Sequence, residues 1–255
     1  MTLNACAALV EKADHERFRS IMASPVAARP VLFALFAFNI EVARAPWVTQ
    51  EPMIAEMRLQ WWRDALEEIA EGRTVRRHDV VDVLAQVLDP DAARLLDGLV
   101  AARRWDIYTD AFEDDAHLEN YLDATCGHLV WTAARLLGKA DEDAVRHAAY
   151  GIAVANLLRA IPELEARGRK PLLDGTPKGV QALAQQGLSR FEQGTRSRAL
   201  ISQPSGAALL VGHMARPVLQ RAVKAPGRVA GGDLEFGPIR QSARLFQLSV
   251  RGWWR

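Results

Sequence analysis

Three groups of residues have the right types for chemistry. Cys126 stands two positions before His128, the pairing of a thiol nucleophile with a base. Residues two apart on a helix diverge, and no oxyanion donor is identifiable, so Cys126 reads as a small packing residue beside Gly127. His117, His128 and His147 fall on neighbouring helices, where zinc ligands could converge. The position four after His128 is Thr132, and the histidines read as satisfied or exposed side chains. The acidic run Asp110 to Asp115 lacks the alternating ligands of a calcium loop and reads as a solvated turn leading into a capped helix. Two tryptophan pairs differ in kind. Trp61-Trp62 lies in an amphipathic helix, with one ring expected inward and the other partly outward. Trp253-Trp254 follows Leu245, Phe246 and Leu248 with flanking arginines, a composition suited to a membrane interface.

The elements that must position these residues are helical. Apolar residues recur at helical spacing, and no Val/Ile/Thr-rich alternation signals a strand. Helices are expected from about Asn4 to Ala23, Pro30 to Ala45, Pro52 to Glu71, Asp79 to Leu88, Pro90 to Ile107 and Asp115 to Leu137. Another, capped by Asp141, reaches at least Ile161, with Pro162 and Gly168 weakening its end. After a Gly/Pro/Lys loop over 168–179, helices resume over 180–200, 205–223 and 238–251, with a flexible connection over 225–237. The 30–45 helix is apolar on nearly every face and should be central. The fold class is all-α, one domain of roughly nine or ten helices over residues 1–255.

The 255 residues carry 49% hydrophobic and 25% charged side chains, with a net charge of +1. That balance fits an ordinary globular protein and offers no basic excess for nucleic acid. Two cysteines make no disulfide framework, which suggests a reducing compartment. Met1 to Lys12 reads as a poor signal peptide, and the apolar run Val31 to Phe38 is too short to span a bilayer. The expected location is the cytoplasm, with peripheral contact at the inner membrane through the C-terminal helix.

Four segments, in order, resemble the squalene/phytoene synthase family. Ala28 to Asn39 is similar to its early helix "R-P-A-L-Y-A-L-Y-A-F", and Leu59 to Asp64 to "L-x-W-W-R-x-E". Leu118 to Gly127 is similar to "L-x-x-Y-x-x-x-x-A-G", and Asn156 to Arg159 to "N-I-L-R-D", with Gly168, Arg169 and Pro171 following. The matches cover the first two thirds of the chain. The resemblance implies an isoprenoid-synthase-type helical bundle around a central apolar cavity. It also implies head-to-head condensation of two prenyl diphosphates. That chemistry needs several Mg²⁺ ions, held by carboxylates on two facing helices, to neutralise a departing diphosphate.

The carboxylates are largely missing. The positions aligned with the first acidic motif hold Ala43, Arg44 and Trp47, with Glu41 nearby but about half a turn off. In the second motif Ala160 and Leu164 replace two aspartates, and Glu163 survives. No catalytic residue and no metal ligand is therefore assigned, and no cofactor is expected. The ligand-binding candidates, by resemblance, are Glu41, Arg44, Asn156, Arg159, Glu163 and Arg169. Among them Arg44, Arg159 and Arg169 could hold a diphosphate through guanidinium groups in place of metal. The chain looks closest to the degenerate branch that includes the mitochondrial assembly factor for respiratory complex I. The implied function is a non-catalytic assembly or lipid-binding protein, its partners a prenyl lipid or other apolar ligand and a protein of respiratory-chain assembly. The alternative is a divergent prenyl transferase in isoprenoid, carotenoid or hopanoid biosynthesis, with Mg²⁺ as cofactor.

Overall fold

A computed structural model describes residues 3–251, and among them every regular element is a helix. The chain runs α1 (Leu3–Ala13), α2 (His15–Met22), α3 (Arg29–Arg44), α4 (Pro52–Ala70), α5 (Asp79–Val87), α6 (Pro90–Ala102) and α7 (Asp115–Leu122). It continues through α8 (His128–Leu137), α9 (Glu142–Ala166), α10 (Pro177–Arg196), α11 (Gln203–Gly206), α12 (Ala215–Lys224), α13 (Gly227–Ala230) and α14 (Pro238–Arg251). The Trp253-Trp254 pair lies outside the described residues.

Two helices form the centre. α3 buries Leu32 through Asn39 without interruption and packs on α1, α5 and α8. By length and composition the helical run Val26–Trp47 could cross a membrane, a longer segment than the apolar stretch 31–38 suggests. Here its apolar faces are covered by the bundle. α9 is buried on nearly all sides and packs most extensively on α10. Small residues make that approach possible. A Cβ placed on Gly151 would stand 2.5 Å from Cβ of Phe191 and 2.8 Å from the Gly187 carbonyl oxygen. Pro162 sits inside α9 without ending it, and the helix closes at Gly168, whose φ of +76° suits glycine.

Several boundaries were legible because side chains cap them. Asp141 accepts from the amide of Ala144 at 2.9 Å, and Asp114 from that of His117 at 2.7 Å, so the acidic run does lead into a capped helix. Trp62 is buried and Trp61 half-buried, their rings at right angles 5.0 Å apart.

Other expectations are corrected. The first helix is two, because Asp14 caps α2 by accepting from the Arg17 amide at 2.9 Å. The 115–137 helix is interrupted by a π turn at Asp123–Gly127. The 205–223 segment divides into α11, a 3₁₀ stretch over Ala207–Gly212, and α12. The 225–237 connection is no loose linker, since it contains α13 and buries Val229, Leu234 and Phe236. More helices therefore form than the nine or ten expected. His128 is half-buried and only partly satisfied: its ring is hydrogen-bonded to the Leu95 backbone, while Nδ1 has no partner.

Two consequences are measurable. Gly→Ala in an open helix stabilises by about 1 kcal/mol, but Gly151→Ala should instead destabilise by about 1–3 kcal/mol because Phe191 and the Gly187 carbonyl stand in the way. Chemical denaturation of the two proteins checks the sign. Burial also lowers the pKa of His128 and of His213 below 6.5. The unfolded chain then binds protons more readily than the folded one, so stability should fall as pH drops below about 6.5. Denaturation midpoints measured between pH 7.5 and about 5.5 should show that loss, and replacing both histidines with Gln should flatten it.

Candidate functional site

A cleft of about 310 Å³ opens between the two central helices, α3 and α9. Its α3 wall presents Asn39 and Ala43, and Trp47 continues that wall from the 3₁₀ turn Ala45–Trp47. Its α9 wall presents Asn156, Ala160 and Leu164 at the four-residue spacing of one helical face. Four of these residues, Ala43, Trp47, Ala160 and Leu164, occupy the positions where the resemblance calls for carboxylates. The cleft gathers the four positions, and none of them carries a carboxylate.

The remaining lining comes from segments distant in sequence. Arg17 enters from α2, oriented by an ion pair with Asp14 at 3.0 Å, and its guanidinium lies 5.4 Å from the Phe36 ring centroid. Arg103 and Asp106 come from the 3₁₀ turn Arg103–Ile107, and Tyr121 from α7. These three side chains close a network. Arg103 Nη1 donates to Asp106 Oδ2 at 3.0 Å and to the Tyr121 hydroxyl at 2.9 Å, and that hydroxyl donates to Asp106 Oδ1 at 2.7 Å. Arg103 Nε is buried without a partner. Asp106 is the only carboxylate that lines this cleft among the described residues. Both its oxygens are engaged and its charge is matched by Arg103.

The mouth of the cleft is also cationic. The turn at Gly168 places Arg167 and Arg169 over the Trp47 indole, 4.8 and 4.9 Å from the ring centroid. Arg169 further donates to the Asp106 backbone carbonyl.

The six sequence candidates do not all meet: Asn156, Arg159 and Glu163 share an adjoining pocket of about 410 Å³ with Asp14, Glu16 and Arg17, while Glu41, Arg44 and Arg169 lie elsewhere. Asn156 lines the cleft, and Arg169 stands at its mouth. Arg44 turns away, half exposed, and pairs with Glu41 at 3.0 Å. The positive charge assigned to Arg44 is supplied by Arg17, Arg103 and Arg169 instead. Arg159 is clamped between Glu16 at 2.9 Å and Glu235 at 2.6 Å, which uses its guanidinium internally. Glu163 is 70% exposed and pairs with Arg167.

A divalent magnesium ion does not fit these residues. It needs carboxylate oxygens free to ligate, and among the described residues no three His, Cys, Asp or Glu side chains gather where a metal could sit. The cleft can do something different. Its walls are largely apolar and its two charged donors are Arg17 and Arg103, which suits one apolar chain with a polar or anionic head. Typical ligand cavities run about 300–1,000 Å³, so this one is at the small end, with room for one chain more readily than two.

The Arg17, Arg103, Asp106 and Tyr121 group escaped the sequence reading. Two signals were available: Tyr121 stands in the L-x-x-Y match, and Asp14 stands three residues before Arg17, a cap pattern lying inside an expected helix. The π turn, which brings Thr125 and Cys126 to the cleft, left no periodic trace.

A family model described as squalene/phytoene synthase matches residues 10–173. The chain is 34% identical over 178 residues to a Drosophila melanogaster protein named NADH dehydrogenase (ubiquinone) complex I, assembly factor 6 homolog. That match covers 66% of this chain and 53% of the relative. It is 26% identical over 200 residues to the Homo sapiens protein named NADH dehydrogenase (ubiquinone) complex I, assembly factor 6, covering 77% of this chain and 60% of that one. The chain thus spans little more than half the length of these curated relatives. Among solved structures, a ligand-bound dehydrosqualene synthase superposes with a TM-score of 0.80 at 14% identity, covering 98% of this chain and 95% of that one. A squalene synthase from Alicyclobacillus acidocaldarius superposes with a TM-score of 0.64 at 17% identity, covering 98% and 94%. At such identities the likeness shows the fold, an isoprenoid-synthase helical bundle.

Cys126 tests the character of the cleft. Burial pushes its thiol up to about 11, with Arg17 and Arg103 pulling the other way. The thiolate fraction at pH 8 is then small, and alkylation by iodoacetamide should run more than about a hundredfold slower than for a free cysteine of pKa about 8.5. Peptide mass spectrometry after timed alkylation reads the rate at Cys126. A rate near that of free cysteine would contradict the described burial.

Proposed function

This chain belongs to the squalene/phytoene synthase family, and from that premise we propose that it has given up magnesium-dependent condensation of prenyl diphosphates and acts as a non-catalytic assembly or lipid-binding protein. One observation carries the reading. Ala43, Trp47, Ala160 and Leu164 face a single cleft where the family's chemistry requires metal-binding carboxylates. Ionising an allylic diphosphate leaves several negative charges on the departing group, and bound cations must neutralise them as the bond breaks. The sole lining carboxylate, Asp106, is committed to Arg103 and Tyr121.

The ligand is a single prenyl lipid or another apolar molecule with a small polar head. Trp47, Leu157 and Leu164 supply apolar wall, and Arg17, Arg103 and Asn156 supply the polar end. Charge-assisted donors can hold an anionic head without promoting its departure. The protein partner is a respiratory-chain complex under assembly, a reading supported by the names of the relatives. No residue is assigned a catalytic role, and no cofactor is assigned.

The purified protein incubated with farnesyl diphosphate and Mg²⁺ should release no pyrophosphate above a protein-free blank. Metal-dependent release that Asp106→Asn abolishes would overturn the reading and restore the prenyl transferase alternative. Protein isolated without detergent and sprayed under native conditions should carry one apolar ligand, displaced when Leu157 or Leu164 is enlarged to Trp. An empty cleft would count against the lipid-binding half of the proposal.

A further inference from the structure

The C-terminal part of the described chain forms a second charged surface, apart from the cleft. Residues 205–255 contain eight Lys/Arg against two Asp/Glu, although the whole chain is almost neutral. Four of these cations line one groove of about 320 Å³ between α12, α13 and α14: Arg221, Lys224, Arg228 and Arg240. Among the described residues no carboxylate lines it. Phe236 forms its floor, with the Arg221 and Arg240 guanidinium groups 3.6 and 4.4 Å from its ring centroid.

Most arginines in this molecule meet a carboxylate, but these four cations do not. Among the described residues none of them forms an ion pair. Arg221 is held by the backbone carbonyl of Glu235 at 2.6 Å, while the Glu235 side chain turns away to Arg159. Asp233 offers Arg221 its carbonyl at 3.4 Å. Burial and the neighbouring charges of Arg228 and Arg240 lower the Arg221 pKa, outweighing the opposing pull of Asp233 and Glu235.

The helix that gives Arg240 to the groove also carries an apolar stripe. α14 buries Leu245 and Leu248 against Leu210 on one face. Its outward face carries Ile239, Phe246 and Val250, which are 87%, 71% and 67% exposed. The spacing of seven and then four residues sets these three side chains in one line along the helix. Arg240, the groove's α14 cation, adjoins Ile239 at the head of that line.

We propose that α14 and the adjoining Arg221/Lys224/Arg228/Arg240 groove form a docking surface for a membrane bearing anionic phospholipid. Lipid phosphates enter the groove while Ile239, Phe246 and Val250 enter the acyl boundary. A membrane supplies both chemistries at once, and an amphipathic helix with a basic border is the element that uses both. A nucleic acid offers phosphates but nothing to cover the apolar stripe. A second copy of this chain would bring the same cations against themselves in a two-fold contact.

The test is co-sedimentation of the full chain with vesicles of phosphatidylcholine, with and without phosphatidylglycerol. Binding should require phosphatidylglycerol and weaken as salt is raised. Each neutralised cation should lower the partition coefficient about fivefold, so Lys224→Gln/Arg228→Gln should lose more than tenfold and Lys224→Glu/Arg228→Glu/Arg240→Glu should lose nearly all binding. Phe246→Ser should also lower it, with helicity and melting temperature unchanged because the ring is exposed. The proposal is overturned if wild-type protein ignores anionic vesicles, or if the charge variants bind as well as wild type. It is also overturned if Phe246→Ser leaves vesicle binding intact, which would indicate a free polyanion. Concentration-dependent dimerisation abolished by Phe246→Ser, without vesicle binding, would assign the stripe to a second copy instead.

Discussion

A diphosphate can leave an allylic carbon only where its growing charge is met by bound cations, and those cations need fixed carboxylates on the protein. Everything distinctive about this chain follows from how α3 and α9 treat that constraint. Across the cleft they present Ala43, Trp47, Ala160 and Leu164, none of which can ligate a hard divalent ion. The change is reinforced around the rim. Arg167 and Arg169 stack on Trp47, and Arg17 and Arg103 face the interior. The charged lining is Arg17 and Arg103 against a single carboxylate, Asp106, so a metal ion would lack free ligands there.

The bundle holds together without carboxylates at these positions. Its stability comes from apolar burial: α3 through Leu32 to Phe38, α9 through its close approach to α10 at Gly151 and Gly187. Removing carboxylates from a cleft wall even relieves like-charge repulsion between facing helices. Fold and chemistry can therefore separate, with the same scaffold hosting a new role. The ion pairs that now fill the surroundings, Arg159 between Glu16 and Glu235 above all, tie α2 and the segment before α14 to α9.

Much of this was legible in the sequence. The apolar α3, the Asp141 cap and the run of helices follow from periodicity and capping, which are local. The exchange of acids for Ala43, Trp47, Ala160 and Leu164 was readable by resemblance, and the structure places all four on one cleft. What periodicity does not carry is which distant segment supplies the rest of a site. Arg17, Arg103, Asp106 and Tyr121 come from three separate stretches, and only packing brings them together. Nor does a residue type reveal its partner. Arg44 and Arg159 were both candidates for a ligand, yet one is spent on Glu41 and the other on Glu16 and Glu235. The π turn at Asp123–Gly127 hid for a similar reason, since one extra residue per turn leaves the apolar pattern on either side intact.

The most direct measurement of the central claim is diffraction from crystals soaked in Mn²⁺ and a non-hydrolysable prenyl thiodiphosphate, with anomalous scattering locating the metal. The account predicts no anomalous peak between α3 and α9, and a lipid head, where it binds, contacted by Arg17 or Arg103. A cluster of ordered metal ions bridging the diphosphate to Asp106 or Glu163 would contradict it.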